Sequence, residues 1–235
     1  MSGTVPYWLG PEEWLAVRLS LKVAFWAMVI SLPFGIAVAY ALARWQFPGK
    51  HLLNGLVHLP LILPPVVTGY LLLLAFGPYG PIGRLLDPVG LSVAFRWTGA
   101  SLAAGLMGFP LMVRALRLSF ELVDPGLEHA AATLGAHPVM VFLTVTLPLA
   151  LPGVIAGAVL AFAKAMGEFG ATITFVANIP GETQTLPSAI YAFLQVPGGE
   201  ASALRLVVIS IVISFTALIV SEVLSRRLAH KLRHA

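Results

Sequence analysis

Long runs of apolar residues dominate the chain, and short polar segments separate them. Each run is long enough to cross a membrane as a helix, since a spanning helix needs about 20 residues. The runs lack the alternation with turn signals that is typical of barrel strands, so an all-α polytopic membrane protein is predicted. Five transmembrane helices are predicted, at about 15–43, 52–76, 98–118, 149–170 and 204–225.

Positive charge is unevenly distributed between the two sides of this pattern. The basic residues that end or follow spans 1, 3 and 5 are Arg44, Lys50, Arg114, Arg117, Arg226, Arg227, Lys231 and Arg233. The connections on the other side hold Arg84, Arg96, Arg205, Glu12, Glu13, Asp87, Glu182 and Glu200. Because Lys and Arg are enriched in cytoplasmic connections, the N-terminus is predicted outside. The C-terminus and the 119–148 loop are then predicted in the cytoplasm.

The composition agrees with a membrane protein. Of the 235 residues, 58% are hydrophobic and 10% are charged, and the mean hydropathy is +0.91. A soluble domain would have roughly a quarter charged residues. The net charge of +4 is explained by topology rather than by binding of nucleic acid. We expect one transmembrane domain over residues 1–235. A cleavable signal peptide is not predicted, because residues 1–13 contain no Lys or Arg.

A segment of the 119–148 loop has the signals of a short separate helix. Asp124 can cap its first turn, and Pro125 suits the first helical position. Gly135 can adopt the left-handed conformation that ends a helix. About ten residues are too few to cross a bilayer. The small side chains of Ala130 and Ala131 would let another protein approach closely, so a docking helix is predicted.

Prolines interrupt span 2 at Pro60, Pro64 and Pro65. A proline inside a helix removes a backbone hydrogen bond and forces a kink. In a membrane, the freed carbonyl groups must face protein or a water-filled path. Two interpretations stay open: the bend serves packing, or it lines a conduit with Thr68 and Gly69 just beyond it.

Span 4 ends with Glu168, an ionisable residue at membrane depth, which is a functional hypothesis by default. Lys164 lies one helical turn earlier, so a local ion pair is the plainer interpretation. A bare carboxylate would oppose an anionic cargo by about 4 kcal/mol at 4 Å with an effective dielectric near 20, so Glu168 is interpreted as supporting a gate. The predicted path or gate residues are Pro64, Pro65, Thr68, Lys164, Glu168, Phe169, Gly170, Thr172 and Thr174.

Several classes of chemistry lack their motifs in this sequence. A Gly-rich phosphate loop is missing, so ATP binding by this chain is not predicted. The sequence has no cysteine and no pair of histidines at ligand spacing, so no metal site is predicted. No nucleophile–base arrangement or paired carboxylates stand out, so the chain is predicted not to be an enzyme.

The docking segment resembles the EAA…G…I-LP loop of ABC-importer permeases, which contacts the cytoplasmic ATPase. The matching positions are Ala130, Ala131, Gly135, Val145, Leu147 and Pro148. His129 stands at the motif's Glu position, the carboxylate comes one residue earlier at Glu128, and Ala132 stands where many relatives have Arg. The resemblance assigns to this coupling loop Asp124, Glu128, His129, Ala130, Ala131, Leu134, Gly135, Leu147 and Pro148.

Other stretches look like the permease subunit of molybdate ABC importers, which implies the type I importer fold. They are 31–35, 47–50, 58–60, 63–67, 109–115, 167–172 and 178–183. Residues 167–171 (Gly-Glu-Phe-Gly-Ala) and 178–180 (Asn-Ile-Pro) narrow the resemblance to oxyanion importers, a group that includes sulfate permeases. The five-span length and residues 184–191 favour molybdate over sulfate, while tungstate stays equally possible.

The resemblance implies a larger assembly in the bacterial inner membrane. Its parts are a second copy of this chain, two cytoplasmic ATPase subunits that bind ATP and Mg²⁺, and an external molybdate-binding protein. The alternatives are a sulfate or thiosulfate permease, a stand-alone ion-coupled anion carrier, and an intramembrane hydrolase. A carrier would need several paired ionisable groups inside the spans, and a hydrolase would need a nucleophile and a base at one depth.

Overall fold

The computed structural model describes residues 8–233, and this part of the chain is almost entirely helical, without a strand. The predicted domain limits, 1 and 235, lie outside the described residues. A turn of 3-10 helix (Asp87–Val89) and a π-helical turn (Phe142–Thr146) accompany the α-helices. These are α1 (Pro11–Arg44), α2 (Lys50–Ile62), α3 (Pro65–Phe76), α4 (Pro81–Leu86), α5 (Trp97–Leu122), α6 (Pro125–Thr133), α7 (Pro138–Val141), α8 (Leu147–Met166), α9 (Gly170–Val176), α10 (Leu186–Leu194) and α11 (Glu200–Arg233).

Five membrane crossings can be formed by the part of the chain that the structure describes. Four helical segments are long and apolar enough alone: Pro11–Arg44, Trp97–Leu122, Pro138–Met166 and Glu200–Leu224. The pair α2 and α3, which bends by 112° at its break, makes a fifth crossing when it is counted as one span. The bend lies at Leu63 and Pro64, both extended, because Pro64 and Pro65 cannot donate backbone hydrogen bonds to the preceding turn. The predicted five-span, all-α fold is confirmed.

The fourth span is divided differently from its predicted limits of 149–170. The helix begins earlier, at Pro138, and ends at Met166, where Gly167 interrupts it. A separate short helix, α9, then starts at Gly170. Because α5 also continues to Leu122, the connection that contains α6 is shorter than the predicted 119–148.

Helix α5 lies at the centre of the bundle and packs against α1 and α8. Its residues Ala100, Ala103 and Ala104 are fully buried. A Cβ atom at Gly108 would lie 3.1 Å from the carbonyl oxygen of Ala161 in α8, so the two backbones approach closely here. Small residues at such crossings are typical of helix association in lipid, where van der Waals packing is a principal attraction.

Helix α1 connects the two ends of the bundle. Its last residue, Arg44, lies beside α6, so we call this side the α6 end and the opposite side the far end. At the far end, Glu13 is 2% exposed and accepts a hydrogen bond from Arg205 Nε of α11 at 3.1 Å. Glu13 also accepts from the backbone N–H of Gly10 at 2.7 Å. The ion pair therefore fastens α1 to α11 at the far end.

Helix α11 has a broad apolar surface that the described part of the chain leaves uncovered. Seven of its large apolar side chains are at least half exposed: Leu204, Ile211, Val212, Phe215, Leu218, Ile219 and Val220. Continuous apolar patches of this kind belong against lipid or another chain, since water would leave them unfavourably hydrated.

Candidate functional site

Helix α6 is the short helix predicted between spans 3 and 4, and both ends are capped as predicted. Asp124 Oδ1 accepts a hydrogen bond from the Gly126 N–H at 2.8 Å, and Pro125 is the first helical residue. At the other end, Gly135 has a φ of +89°, and its N–H donates to the Ala132 carbonyl at 3.0 Å. This backbone conformation favours glycine. The capped helix is confirmed.

One face of α6 is exposed and carries small or apolar side chains. Leu134, just after the helix, is 89% exposed, and Leu127 is half exposed. His129 and Ala130 are exposed, while Ala131 is half-buried. The exposed apolar surface continues onto α7 and the π-helical turn with Val139, Met140 and Leu143. Such a patch is typical of a protein contact.

Glu128 of α6 is bound to the rest of the bundle instead of being exposed to a partner. Its Oε1 accepts hydrogen bonds from Arg44 Nη2 at 3.1 Å and from Thr146 Oγ1 at 2.6 Å. Arg44 Nη2 also donates to the Val123 carbonyl at 2.8 Å. The side chains of Arg44 and Glu128 are each 15% exposed. We call Arg44, Glu128 and Thr146 the α6 anchor, because they join α6 to α1 and to the start of span 4.

The π-helical turn brings Thr146 to the anchor. A π-helical turn holds an extra residue and changes the direction of the side chains beyond it, and such turns are frequent at functional sites. Leu147 and Pro148 follow as the first two residues of α8, and both are half-buried. These two residues of the predicted coupling loop therefore start a spanning helix.

Replacing Glu128 with alanine is expected to release α6 from the bundle. Arg44 and Thr146 would lose their shared acceptor, and removing one partner of a well-buried ion pair costs about 3–5 kcal/mol. Because the side chains of this pair are partly exposed, we expect the free energy that holds α6 against the bundle to fall by about 1–3 kcal/mol. Faster amide hydrogen exchange over residues 125–133 would measure the release. The control Glu12→Ala removes an exposed carboxylate at the far end. Unchanged exchange in Glu128→Ala would contradict the anchor.

The breaks in spans 2 and 4 lie against each other. The first residue of α9, Gly170, is so close to the first residue of α3 that a Cβ would lie 2.7 Å from the Pro65 Cβ. One turn further, a Cβ at Gly69 would lie 2.9 Å from Ala171 Cα and 2.9 Å from Thr174 Cβ. Of the predicted path residues, the structure therefore brings Pro65, Gly170 and Thr174 into one crossing of α3 and α9.

Glu168 stabilises the break in span 4. Its carboxylate accepts hydrogen bonds from the Ala171 N–H at 3.0 Å and from Lys164 Nζ at 2.6 Å. Glu168 is 2% exposed, whereas the Lys164 side chain is 30% exposed. The predicted local ion pair is confirmed. The carboxylate also caps the first turn of α9, which explains why a new helix begins at Gly170.

The threonines near the breaks differ in their hydrogen bonding. Thr172 Oγ1 donates to the Phe169 carbonyl at 2.9 Å, and Thr174 Oγ1 donates to the Gly170 carbonyl at 2.8 Å. Thr68 Oγ1 is buried without a hydrogen-bond partner. It lines a mostly apolar cavity of about 200 Å³ inside the bend of α2 and α3. Thr68 is thus the threonine of this group with a hydroxyl left to bind another group.

Phe169, at the break in span 4, contacts α10. Its ring centroid is 5.3 Å from that of Tyr191. The N–H of Leu186, the first residue of α10, donates to Ser20 Oγ of α1. The ring contact thus connects the break in span 4 with α10.

The sequence alone did not reveal two members of the α6 anchor. Arg44 was expected only to mark topology, and Thr146 had no assigned role. Gly69 was expected just beyond the bend of span 2, but its contact with α9 was not predicted. The signal for Arg44 is its position at the end of a span opposite a loop that holds Glu128. Residues 8–233 bring no group of three or more His, Asp or Glu side chains into a possible metal site.

Comparison with known sequences relates nearly the whole chain to membrane transport proteins. The family model described as "Binding-protein-dependent transport system inner membrane component" matches residues 31–230. The chain is 60% identical over 219 residues to the molybdenum transport system permease protein ModB of Escherichia coli (strain K12), covering 93% of this chain and 96% of the relative. It is 39% identical over 172 residues to the sulfate transport system permease protein CysW of Synechococcus elongatus, covering 73% of this chain and 60% of the relative.

Solved structures of ABC transporters share the fold. One is the MetNI methionine ABC transporter in an inward-facing conformation, with a TM-score of 0.68 and 16% identity, covering 97% of this chain and 99% of that one. Another is a bacterial alginate ABC transporter in complex with an alginate-bound periplasmic protein, with a TM-score of 0.74 and 15% identity over 94% of this chain and 80% of that one. The chain belongs to the family of inner membrane components of binding-protein-dependent transport systems.

Proposed function

We propose that the chain is the permease subunit of an ATP-driven ABC importer that moves molybdate, or the closely similar tungstate, into the cytoplasm. The assignment of the substrate rests on the 60% identity with a molybdenum permease over 93% of the chain. The sulfate permease relative is less similar and matches a shorter part, at 39% identity over 73% of the chain. The sulfate alternative is therefore the weaker one.

The proposed assembly contains two copies of this chain, two ATPase subunits and an external molybdate-binding protein. The exposed apolar face of α6, with Leu127 and Leu134, would dock into an ATPase subunit on the cytoplasmic side. ATP and Mg²⁺ would be held by the ATPase subunits. The N-terminus would then lie outside, in the orientation that the basic residues favour in the bacterial inner membrane.

Movement of the ATPase would reach the spans through the α6 anchor. Glu128 binds Arg44 of α1 and Thr146 at the start of span 4, so a shift of α6 pulls on two spanning segments at once. Span 4 leads directly to the break at Gly167 and to α9. Packed helices have discrete arrangements, so we propose that the two states are alternative packings of these segments.

The gate would be the crossing of α3 and α9. In the described chain, the close approach of Gly69 and Gly170 to the opposite helix leaves no room between them for a tetrahedral anion. Separation of α3 from α9 would open the space beside Thr68, whose hydroxyl is free. Weak polar contacts suit a conduit, because a tightly bound ion would not be released.

Glu168 would support this gate without facing the cargo. Lys164 and the Ala171 N–H both bind its carboxylate, so its negative charge is balanced locally. A dianion that passed an unbalanced carboxylate at 4 Å would be opposed by about 8 kcal/mol at an effective dielectric near 20, which is too much for rapid passage.

Transport by the reconstituted complex tests the proposal. Proteoliposomes that contain this chain, its ATPase and its binding protein are expected to take up radiolabelled molybdate only when ATP is supplied to the cytoplasmic face. Proteoliposomes with this chain alone are the control and are expected to take up none. Uptake by the chain alone would establish a carrier, and a preference for sulfate over molybdate and tungstate would overturn the substrate.

A further inference from the structure

A second polar site lies between α2 and α5, away from the crossing of α3 and α9. It is a pocket of about 450 Å³ near the α6 end, beside the last turns of α5. Five of its six lining residues have polar side chains and two of them are arginines, whereas the cavity beside Thr68 is mostly apolar. The lining residues are Asn54, His58, Arg114, Arg117, Leu118 and Glu121.

Hydrogen bonds hold one wall of this pocket in place. Arg117 donates from Nε to Glu121 Oε1 at 2.7 Å and from Nη1 to Asn54 Oδ1 at 3.3 Å. The Asn54 carbonyl oxygen lies 2.8 Å from His58 Nδ1. The other ring nitrogen, Nε2, has no hydrogen-bond partner in the described part of the chain. Arg117 and Glu121 balance each other's charge, so Glu121 does not give the pocket a negative charge.

Arg114 gives the pocket its unbalanced charge. It is exposed and makes no hydrogen bond or ion pair with any residue from 8 to 233. It lies eight residues before the end of α5, or about 12 Å inside that end at 1.5 Å per residue. An arginine without a partner in the chain is available to bind an anionic ligand. The pocket therefore has one positive charge in excess and no anion of its own to neutralise it.

We propose that this pocket binds a tetrahedral oxyanion at the α6 end of the chain, either a free dianion such as molybdate or phosphate, or the phosphate of a lipid headgroup. Arginine guanidinium groups present a planar fork of N–H donors that matches the oxygens of such anions. Asn54 and His58 offer further polar groups on the opposite wall. The volume of about 450 Å³ exceeds what a single small anion needs, so it also has room for a headgroup.

Recognition of the oxyanion in this pocket depends on Arg114 and not on the gate. The proposed site is therefore independent of which substrate the chain transports. If the ligand is a free dianion, it would enter this pocket from the solution at the α6 end. If the ligand is a lipid, the site would bind the inner leaflet. The two sources share the chemistry of phosphate-like oxygens, and they differ in whether the ligand is soluble.

Binding measurements on the full chain in nanodiscs separate these sources. Nanodiscs of phosphatidylcholine are titrated calorimetrically with sodium molybdate and with sodium phosphate. Retention of phosphatidylglycerol is measured by native mass spectrometry after purification from mixed lipid. We expect Arg114→Gln to weaken binding of the recognised probe by about tenfold or more, since a hydrogen-bonded ion contributes more than a neutral contact. Arg114→Lys keeps the positive charge but not the planar fork of donors. Its affinity for the probe is expected to lie between those of the unchanged protein and of Arg114→Gln.

The control is Arg84→Gln, which removes another exposed, unbonded arginine from α4. It is expected to leave binding unchanged, and equal thermal unfolding of both variants verifies the fold. Arg114-dependent binding of molybdate or phosphate supports a free dianion, and Arg114-dependent retention of phosphatidylglycerol supports a headgroup. If neither molybdate, phosphate nor phosphatidylglycerol responds to Arg114→Gln, the proposed site is overturned, whatever the transport assay shows.

Discussion

Gly135→Pro is expected to abolish association of the chain with its ATPase and, with it, ATP-driven transport. Gly135 has a φ of +89°, which proline, fixed near −65°, cannot adopt. The substitution also removes the N–H that donates to Ala132 at the end of α6. A cost of about 3 kcal/mol at this helix end would weaken docking by about a hundredfold. Copurification of the ATPase and uptake in proteoliposomes measure the two losses.

Gly90→Pro is the matched control for this experiment. Gly90 also has a positive φ, +69°, and its N–H donates to the Asp87 carbonyl at 2.9 Å. It is exposed and follows α4, at the far end of the bundle. Gly90→Pro is expected to disturb the backbone in the same way and to leave copurification of the ATPase unchanged. If Gly135→Pro retained the ATPase as well as Gly90→Pro does, α6 would not be the docking helix.

Gly69→Ala is expected to prevent the normal packing of α3 against α9 and to reduce transport strongly. Helix propensity alone favours alanine over glycine by about 0.5–1 kcal/mol. The new Cβ would lie 2.9 Å from Ala171 Cα and from Thr174 Cβ, and overpacking of this kind costs about 1–3 kcal/mol. The clash therefore outweighs propensity. A shift of about 1.4 kcal/mol between two packings changes their ratio tenfold, so we expect about a tenfold loss of uptake.

Gly55→Ala is the control, and its expected effect on the free energy of unfolding has the opposite sign to that of Gly69→Ala. Gly55 lies within α2, and a Cβ there would meet nothing within 4 Å. Its replacement is expected to raise the free energy of unfolding by about 0.5–1 kcal/mol and to leave uptake unchanged. Unfolding in denaturant and uptake in proteoliposomes report both effects. A Gly69→Ala protein as stable and active as Gly55→Ala would show that the crossing is not a gate.

Much of the fold could be predicted from the sequence because lipid simplifies the problem. In lipid, a long apolar run can form all of its backbone hydrogen bonds internally only as a helix. The approximate positions of the spans could therefore be predicted. Local signals fixed α6 as well, since Asp124, Pro125 and Gly135 act through the backbone next to them. The break after Pro64 was likewise a local consequence of residues that cannot donate a hydrogen bond.

Contacts between distant segments could not be predicted in the same way. Arg44 and Glu128 are 84 positions apart, and the end of a span opposite the loop that holds Glu128 is only a coarse signal of their contact. The π-helical turn that carries Thr146 toward Glu128 has no established sequence signal here. The crossing of α3 and α9 depends on how two helices pack, and an exposed glycine such as Gly55 looks the same in sequence as a crowded one such as Gly69.

The length of α1 gives its two ion pairs a joint consequence. Glu13 and Arg44 stand near opposite ends of one continuous helix, about 46 Å apart at 1.5 Å per residue. Glu13 is tied to α11 and Arg44 to α6, so α1 is a strut between the two ends of the bundle. Tilting this strut at one end is expected to displace the other, so the proposed external binding protein and the proposed ATPase would share a mechanical connection through α1.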